Sequence, residues 1–177
     1  RAKEGGPLRL LFLGNVIHRK GLHTLLEAIS FQPSAFTLEV VGKLTAEPKY
    51  TQEILDMSKV SDLKSVVSFH GPLDNEELIK KMKSAYVLVV PSSYEGFGIV
   101  YLEGMAFGLP AIGTTAGGAS EIITDGKNGF LILPDDAKSL AERLLSLANN
   151  RDLLARMSLN ALECYRQQPT WDETARK

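Results

Sequence analysis

Cysteine is almost missing from this chain of 177 residues, since Cys164 is the only one. A single cysteine cannot form an internal disulfide, and metal sites built from several thiolates are excluded for the same reason. Chains that work in a reducing compartment commonly have few cysteines, so the composition favours a cytoplasmic location.

Apolar segments are short throughout the sequence. The longest uncharged one runs from Ala85 to Val90 and stops at Pro91, whereas a membrane-spanning helix needs about 20 apolar residues. No segment resembles a signal peptide. We therefore predict no transmembrane segment, which leaves peripheral membrane association of a longer protein open. Because the chain begins with Arg1 rather than Met, we expect it to be part of a longer protein.

Neither sign of charge is in excess. The chain has 20 Lys and Arg against 21 Asp and Glu, for a net charge of -1. A balanced charge does not favour nucleic acid as a partner. The 44% apolar and 23% charged residues are ordinary for a soluble globular protein. The length suits one domain with its own core, since domains usually have about 100–200 residues.

Two common nucleotide-binding fingerprints are absent from the sequence. No G-x-G-x-x-G follows a strand-like segment, and no G-x-x-x-x-G-K-[ST] occurs anywhere. No Asp-x-Asp metal motif follows a strand either. These absences argue against ordinary dinucleotide-dependent dehydrogenases and P-loop NTPases.

The sequence instead alternates regularly between short apolar segments and segments with helical spacing of apolar residues. The predicted strands cover residues 8–13, 36–41, 66–70, 86–90, 111–114 and 130–133. The predicted helices lie near residues 22–29, 48–57, 75–82, 99–107, 119–123, 137–147 and 153–165. This alternation is typical of βαβ units. It predicts a single Rossmann-like, doubly wound α/β domain with about six parallel strands and helices on both faces.

Ligands of doubly wound sheets bind at the carboxyl ends of the strands, so the loops there are the candidate site. The loop after the first predicted strand places Arg19 and Lys20 just before a helix, where backbone amides and the helix dipole favour an anion. A solvent-exposed basic turn is the alternative. His70 ends the third predicted strand and is a further candidate for ligand contact.

The loop after the fourth predicted strand contains Glu95 and two glycines, Gly96 and Gly98, just before a helix. Glycines there let backbone amides approach a phosphate closely. Glu103 follows in the second helical turn among apolar positions, where a carboxylate needs a partner. Ribose hydroxyls would serve, and the alternatives are a salt bridge or a surface glutamate. Residues 114–118 form another glycine-rich loop.

Taken in order, these motifs resemble the C-terminal, donor-binding domain of family 4 (group 1) retaining glycosyltransferases, which have two Rossmann-like domains (the GT-B type). The resemblance spans residues 8–177. Its motifs are Gly14-x5-Lys20-Gly21, Pro91-Ser92-x2-Glu95-Gly96-Phe97-Gly98-x4-Glu103, Gly117-Gly118-x2-Glu121 and Asp125-Gly126-x2-Gly129.

The resemblance implies a role for each matching residue. Lys20 would contact the donor diphosphate, Glu95 the hydroxyls of the transferred sugar, and Glu103 the ribose hydroxyls. Lys20 and Glu95 would be the catalytic pair. The backbone amides of Gly96, Phe97, Gly98, Ile99 and Val100 would face sugar and phosphate.

One position departs from the family pattern. Members often have an arginine directly after the glycine of the first strand, and this chain has Asn15 there. Either Arg19 supplies the second phosphate contact, or the diphosphate site is weaker than in other members. Asn15 and Arg19 therefore belong to the predicted donor site.

As a whole protein, such a chain is expected to transfer a hexose from a UDP-, GDP- or ADP-sugar to an acceptor, without a metal or a cofactor. Residues 1–177 would form the C-terminal nucleotide-sugar-binding domain. An N-terminal acceptor domain would precede it, and residues 170–175 resemble the segment that crosses back to that domain. Alone, the chain should bind donor and transfer nothing. One alternative is a catalytically degenerate binding module. The other is a sugar-nucleotide epimerase, but the spacing of Glu95 and Glu103 disfavours the epimerase.

Overall fold

The computed structural model describes residues 4–59 and 62–168. Its six strands are β1 (Leu8–Leu13), β2 (Phe36–Val41), β3 (Val67–Gly71), β4 (Val87–Val89), β5 (Ala111–Thr114) and β6 (Gly129–Ile132). They form one sheet in the order β3-β2-β1-β4-β5-β6, and every neighbouring pair is parallel. The predicted Rossmann-like doubly wound fold is confirmed.

Helices connect the strands and cover both faces of the sheet. They are α1 (Leu22–Ser30), α2 (Pro48–Lys59), α3 (Asn75–Ser84), α4 (Ile99–Ala106), α5 (Ala119–Ile122), α6 (Ala137–Asn149) and α7 (Arg151–Arg166). The carboxylate of Asp74 accepts the amide of Glu77 and so fixes the start of α3. Asn150 separates α6 from α7 and caps the latter by accepting the amide of Leu153. This cap explains why α7 begins two residues before the predicted start.

The centre of the sheet is the core of the domain. Leu10 and Leu11 of β1, Leu88 of β4 and Ile112 of β5 are fully buried. A parallel strand with helices on both faces buries both sides of its pleat, which is why these strands are continuously apolar. The loops that follow β1 and β4 therefore start from a rigid platform.

The strand order reverses between β1 and β4, which pair side by side. The connection from β1 leads to one side of the sheet and the connection from β4 leads to the other. Between two such loops a crevice opens at the carboxyl edge, and doubly wound proteins bind ligands there.

The predicted crossing segment, residues 170–175, lies outside the described residues. Within the described ranges, no helix combines the length and the apolar character that crossing a bilayer requires.

Candidate functional site

A cleft of about 510 Å³ opens at the carboxyl edge, where the loops after β1 and β4 meet. It is lined by Arg19, Lys20, residues 94–100 and Glu103. Nine of the ten residues that the sequence assigns to a donor site thus lie around one cavity, although they come from two separate loops and a helix. Tyr94 is an additional lining residue.

Close backbone packing holds the two loops together. Gly21 has a φ of 70°, and a Cβ there would lie 2.1 Å from the carbonyl oxygen of Pro91. Only glycine fits this position without displacing the backbone of the other loop. The amide of Ser93 also donates to the carbonyl of Arg19 at 2.8 Å. The two loops that bound the cleft therefore cannot easily move apart.

An ion pair in the cleft joins Lys20 to Glu95. The Nζ atom of Lys20 lies 2.6 Å from Oε2 of Glu95, and the two side chains are only 14% and 13% exposed. The hydroxyl of Ser92 donates to the same Oε2 at 3.1 Å. Charge-assisted hydrogen bonds of this kind fix both side chains at the cavity wall.

The glycine-rich loop after β5 supports the backbone of Glu95 from below. The amide of Glu95 donates to the carbonyl of Ala116 at 3.3 Å, and the amide of Gly118 donates to the carbonyl of Glu95 at 2.6 Å. Gly117 has a φ of 80°, and a Cβ there would lie 2.1 Å from that same carbonyl oxygen. Residues 114–118 thus fix the peptide that presents the glutamate.

Helix α4 begins inside the cleft. Its N-cap residue, Gly98, has a φ of 66°, and no described side chain caps the first turn. Gly98, Ile99 and Val100 line the cavity, so the amino end of the helix and its positive dipole lie there. The Phe97 side chain beside it is 85% exposed. The arrangement suits an anion placed at the start of α4.

Glu103 lines the cleft and is exposed. The sequence predicts that Glu103 lies among apolar neighbours and therefore needs a partner. The apolar neighbours are there, but the carboxylate is not buried among them. Tyr101 and Met105 are fully buried, whereas Glu103 is on the outward face of α4. Helix geometry explains the difference, since positions two residues apart lie on opposite faces. Glu103 is therefore accessible to a ligand at no cost of burial.

Comparison with known proteins identifies the family. The family model for group 1 glycosyl transferases matches residues 1–163. The chain belongs to the group 1 glycosyl transferases. A similar protein is an uncharacterized glycosyltransferase of Methanocaldococcus jannaschii, which is 33% identical over 163 residues. That match covers 92% of this chain and 44% of the relative, so the chain spans less than half of the relative's length.

Two solved structures have the same fold. HepE of Anabaena, in complex with UDP-glucose, superposes with a TM-score of 0.85 at 27% identity, over 91% of this chain and 44% of HepE. The C-terminal domain of the group 1 family protein LpcC from Francisella tularensis superposes with a TM-score of 0.82 at 26% identity. The match covers 94% of this chain and 88% of the LpcC domain. The chain therefore corresponds to a C-terminal domain of this family.

Two candidate residues point away from the cleft of this group 1 domain. Oδ1 of Asn15 accepts the backbone amide of Lys43 at 3.4 Å, so the side chain bridges to the loop after β2. Nε2 of His70 contacts Oε2 of Glu39, and Nζ of Lys81 lies 2.8 Å from the same oxygen. The suggestion that His70 contacts a ligand therefore receives no support from its position, because its imidazole is engaged at the far strands of the sheet.

Burial and hydrogen bonding act in opposite directions on Glu39. Burial raises the pKa of its carboxyl, but the hydrogen bonds from Lys81 and His70 favour the ionised form. The net result is a lowered pKa. This cluster ties α3 to β2 and β3 and belongs to the scaffold rather than to the cleft.

No role is predicted from the sequence for three hydroxyl residues beneath the cleft. Ser92 and Thr114 are fully buried, and so is Tyr101. The phenol of Tyr101 donates to the carbonyl of Val90 at 2.8 Å, and burial together with the nearby Glu95 charge raises its pKa strongly. A signal was present in the sequence: Ser92 stands three residues before Glu95, within reach of its side chain across a tight loop.

Proposed function

We propose that this chain is the donor-binding half of a retaining glycosyltransferase that transfers a hexose from a nucleotide-diphosphate sugar without a metal ion. One observation supports this most: Lys20 and Glu95 meet at the amino end of α4, in the same cleft as Glu103. Membership of the group 1 glycosyl transferases supplies the reaction class. UDP-glucose in HepE supports a nucleotide sugar as the ligand class.

The diphosphate is assigned to the start of α4. There the ammonium of Lys20 and the backbone amides of Ile99 and Val100 would face its oxygens. Negative charge develops on the diphosphate as the bond to the sugar breaks, and fixed cations and amides stabilise such charge in a partly dehydrated cleft. The backbone amides are already held in place by the packing of the two loops, so they need little reorganisation.

The two carboxylates are assigned to the two sugar rings of the donor. Glu103 lies five residues beyond Gly98, which corresponds to about 7.5 Å along the helix axis. A ribose one turn past the diphosphate would reach it. Glu95 contacts Lys20 at 2.6 Å and would accept hydrogen bonds from hydroxyls of the transferred hexose. This placement makes Lys20 and Glu95 the catalytic residues.

The acceptor is assigned to a domain outside this chain. The chain spans 44% of its Methanocaldococcus relative and of HepE, so its partner in catalysis would be its own N-terminal domain. A cytoplasmic location, with peripheral membrane association possible for the whole protein, completes the proposal. The alternative is a degenerate module that binds a nucleotide sugar without transferring the sugar. This alternative is favoured by Asn15, which stands where family members usually have an arginine.

A transfer assay on the full-length parent protein separates the two functions. The parent should convert a nucleotide sugar that also raises the melting temperature of the isolated chain, and Lys20→Ala should lower this conversion at saturating donor. Binding without turnover in the wild-type parent would support the degenerate module instead. No binding to the isolated chain by UDP-, GDP- or ADP-sugars would contradict both.

A further inference from the structure

Ser92 donates its hydroxyl hydrogen to the same carboxylate oxygen of Glu95 that Lys20 contacts. Lys20 enters from the loop after β1, whereas Ser92 lies on the same loop as Glu95, three residues earlier. Ser92 is fully buried and Lys20 lines the open cleft. The carboxylate therefore has one partner that a ligand can reach and one that it cannot.

The two partners differ in what happens when a donor binds. In the proposed function, the ammonium of Lys20 turns toward the diphosphate and is shared with a competing anion. Glu95 then loses part of the contact that holds it in the free site. A carboxylate released in this way would sample several rotamers, and binding the sugar would require freezing them again.

We propose that Ser92 is a positioning residue that keeps Glu95 directed at the sugar while Lys20 is engaged by the diphosphate. The proposal rests on the proposed donor-binding function and deepens it. Ser92 does not itself line the cleft, and its hydroxyl reaches the cleft wall through Glu95. Its contribution is therefore to the sugar-bearing donor, and the free nucleoside diphosphate does not require it.

The backbone of Ser92 is itself held firmly, which a positioning residue needs. Its amide donates to the carbonyl of Val90 at 2.9 Å. Its carbonyl accepts the hydroxyl of Thr114 at 2.6 Å, and Thr114 is fully buried on β5. Burying hydroxyls is unfavourable unless each is hydrogen-bonded. The network therefore extends from the sheet core to the glutamate through named hydrogen bonds.

Calorimetric titration of the chain with paired ligands tests the proposal. The pairs are UDP and UDP-glucose, GDP and GDP-mannose, and ADP and ADP-glucose, and the pair that the wild type binds is used. Ser92→Ala should raise the dissociation constant of the nucleotide sugar about fivefold to tenfold, and that of the diphosphate less than about twofold. Ser92→Cys, which replaces the hydroxyl with a somewhat larger thiol that is a weak donor, should behave like Ser92→Ala.

A double-substitution cycle separates positioning from a structural role. Once Glu95→Ala has removed the carboxylate, adding Ser92→Ala should change the dissociation constant of the nucleotide sugar less than about twofold. Equal losses for both ligands in Ser92→Ala, or a full further loss in the double variant, would overturn the proposal. An unaffected nucleotide sugar would overturn it too. A wild type that binds no ligand of any pair would instead refute the donor site, and this inference with it.

Discussion

Lys20 and Glu95, 75 positions apart in sequence, form a 2.6 Å ion pair across the cleft. The pair neutralises both charges in a site that we assign to a dianionic diphosphate. A ligand must therefore compete with Glu95 for the ammonium, and loss of the ammonium would leave an unneutralised carboxylate facing the phosphates. For this reason we expect the loss of the Lys20 side chain to have the largest effect on diphosphate binding.

The Lys20→Ala variant should weaken nucleoside diphosphate binding by about tenfold or more, because a charge-assisted contact is lost and the Glu95 charge becomes repulsive. Arg19 is the matched comparison. Its guanidinium donates to the carbonyl of Tyr94 at 2.7 Å and lines the same cleft. If Arg19 takes the role of the arginine that other members have in place of Asn15, Arg19→Ala should weaken nucleoside diphosphate binding by a similar factor in calorimetry. A silent Arg19→Ala would show that Lys20 works alone.

Removal of each carboxylate should affect different ligands. Glu103→Ala should weaken nucleoside diphosphate and nucleotide sugar alike, by about 1.5–3 kcal/mol, because ribose is common to both. Glu95→Ala should spare the free diphosphate and weaken the sugar-bearing donor. Both variants are compared by calorimetry with the same ligand pair. An equal loss for the two ligands in Glu95→Ala would disprove this division of roles.

Gly117 and Gly126 offer a matched pair for testing how the floor of the cleft is built. Both have a positive φ, +80° and +75°, but a Cβ on Gly117 would lie 2.1 Å from the carbonyl of Glu95, whereas nothing lies within 4 Å of one on Gly126. Gly126→Ala should lower the free energy of unfolding by about 1 kcal/mol through backbone strain alone. Gly117→Ala should lower it further and weaken nucleotide-sugar binding. Urea unfolding measures both variants. Equal losses in the free energy of unfolding would mean that the loop around Gly117 moves easily to make room for a Cβ.

Acid should remove the contribution of Glu39 to stability. Its pKa in the folded domain is lower than its ordinary value of 4.5, since hydrogen bonds from Lys81 and His70 outweigh the effect of burial. The folded state thus holds fewer protons than the unfolded state as pH falls below that value. The stabilisation is present above pH 4.5 and disappears as pH falls through the folded pKa.

Glu39→Gln provides the control for this pH dependence. The difference in free energy of unfolding between wild type and variant should be largest near neutral pH and shrink toward about pH 3. Urea titrations at several pH values measure it. A difference that stays constant into acid would show that the Glu39 charge has no net effect on stability.

Much of the fold could be predicted from the pattern of apolar residues. Strands β1 and β2 occur with the predicted bounds because each ends at a glycine, Gly14 or Gly42. β4 is shorter than predicted, covering Val87–Val89. The amide of Val90 still donates to Ile112 at 3.0 Å, so the apolar run continues past the regular ladder. Strand order was not predictable, because it depends on how the helices pack.

The site was predictable only as a set of positions. Motif spacing indicated Lys20, Glu95 and Glu103, and the parallel sheet explains why they converge on one edge. The ion pair between Lys20 and Glu95 could not be foreseen, since it depends on how closely Gly21 packs on Pro91. The exposure of Glu103 and the contact from Asn15 to Lys43 likewise depend on side-chain direction, which spacing does not specify.

Calorimetric titration of the isolated chain with UDP, GDP and ADP tests the central claim most directly, because all the residues that we assign to the diphosphate and the ribose lie within residues 19–103. The account predicts saturable binding of at least one nucleotide with a dissociation constant below about 1 mM, which Lys20→Ala abolishes or sharply weakens. Absence of binding by all three nucleotides at millimolar concentration, or binding that is unchanged in Lys20→Ala, would contradict it.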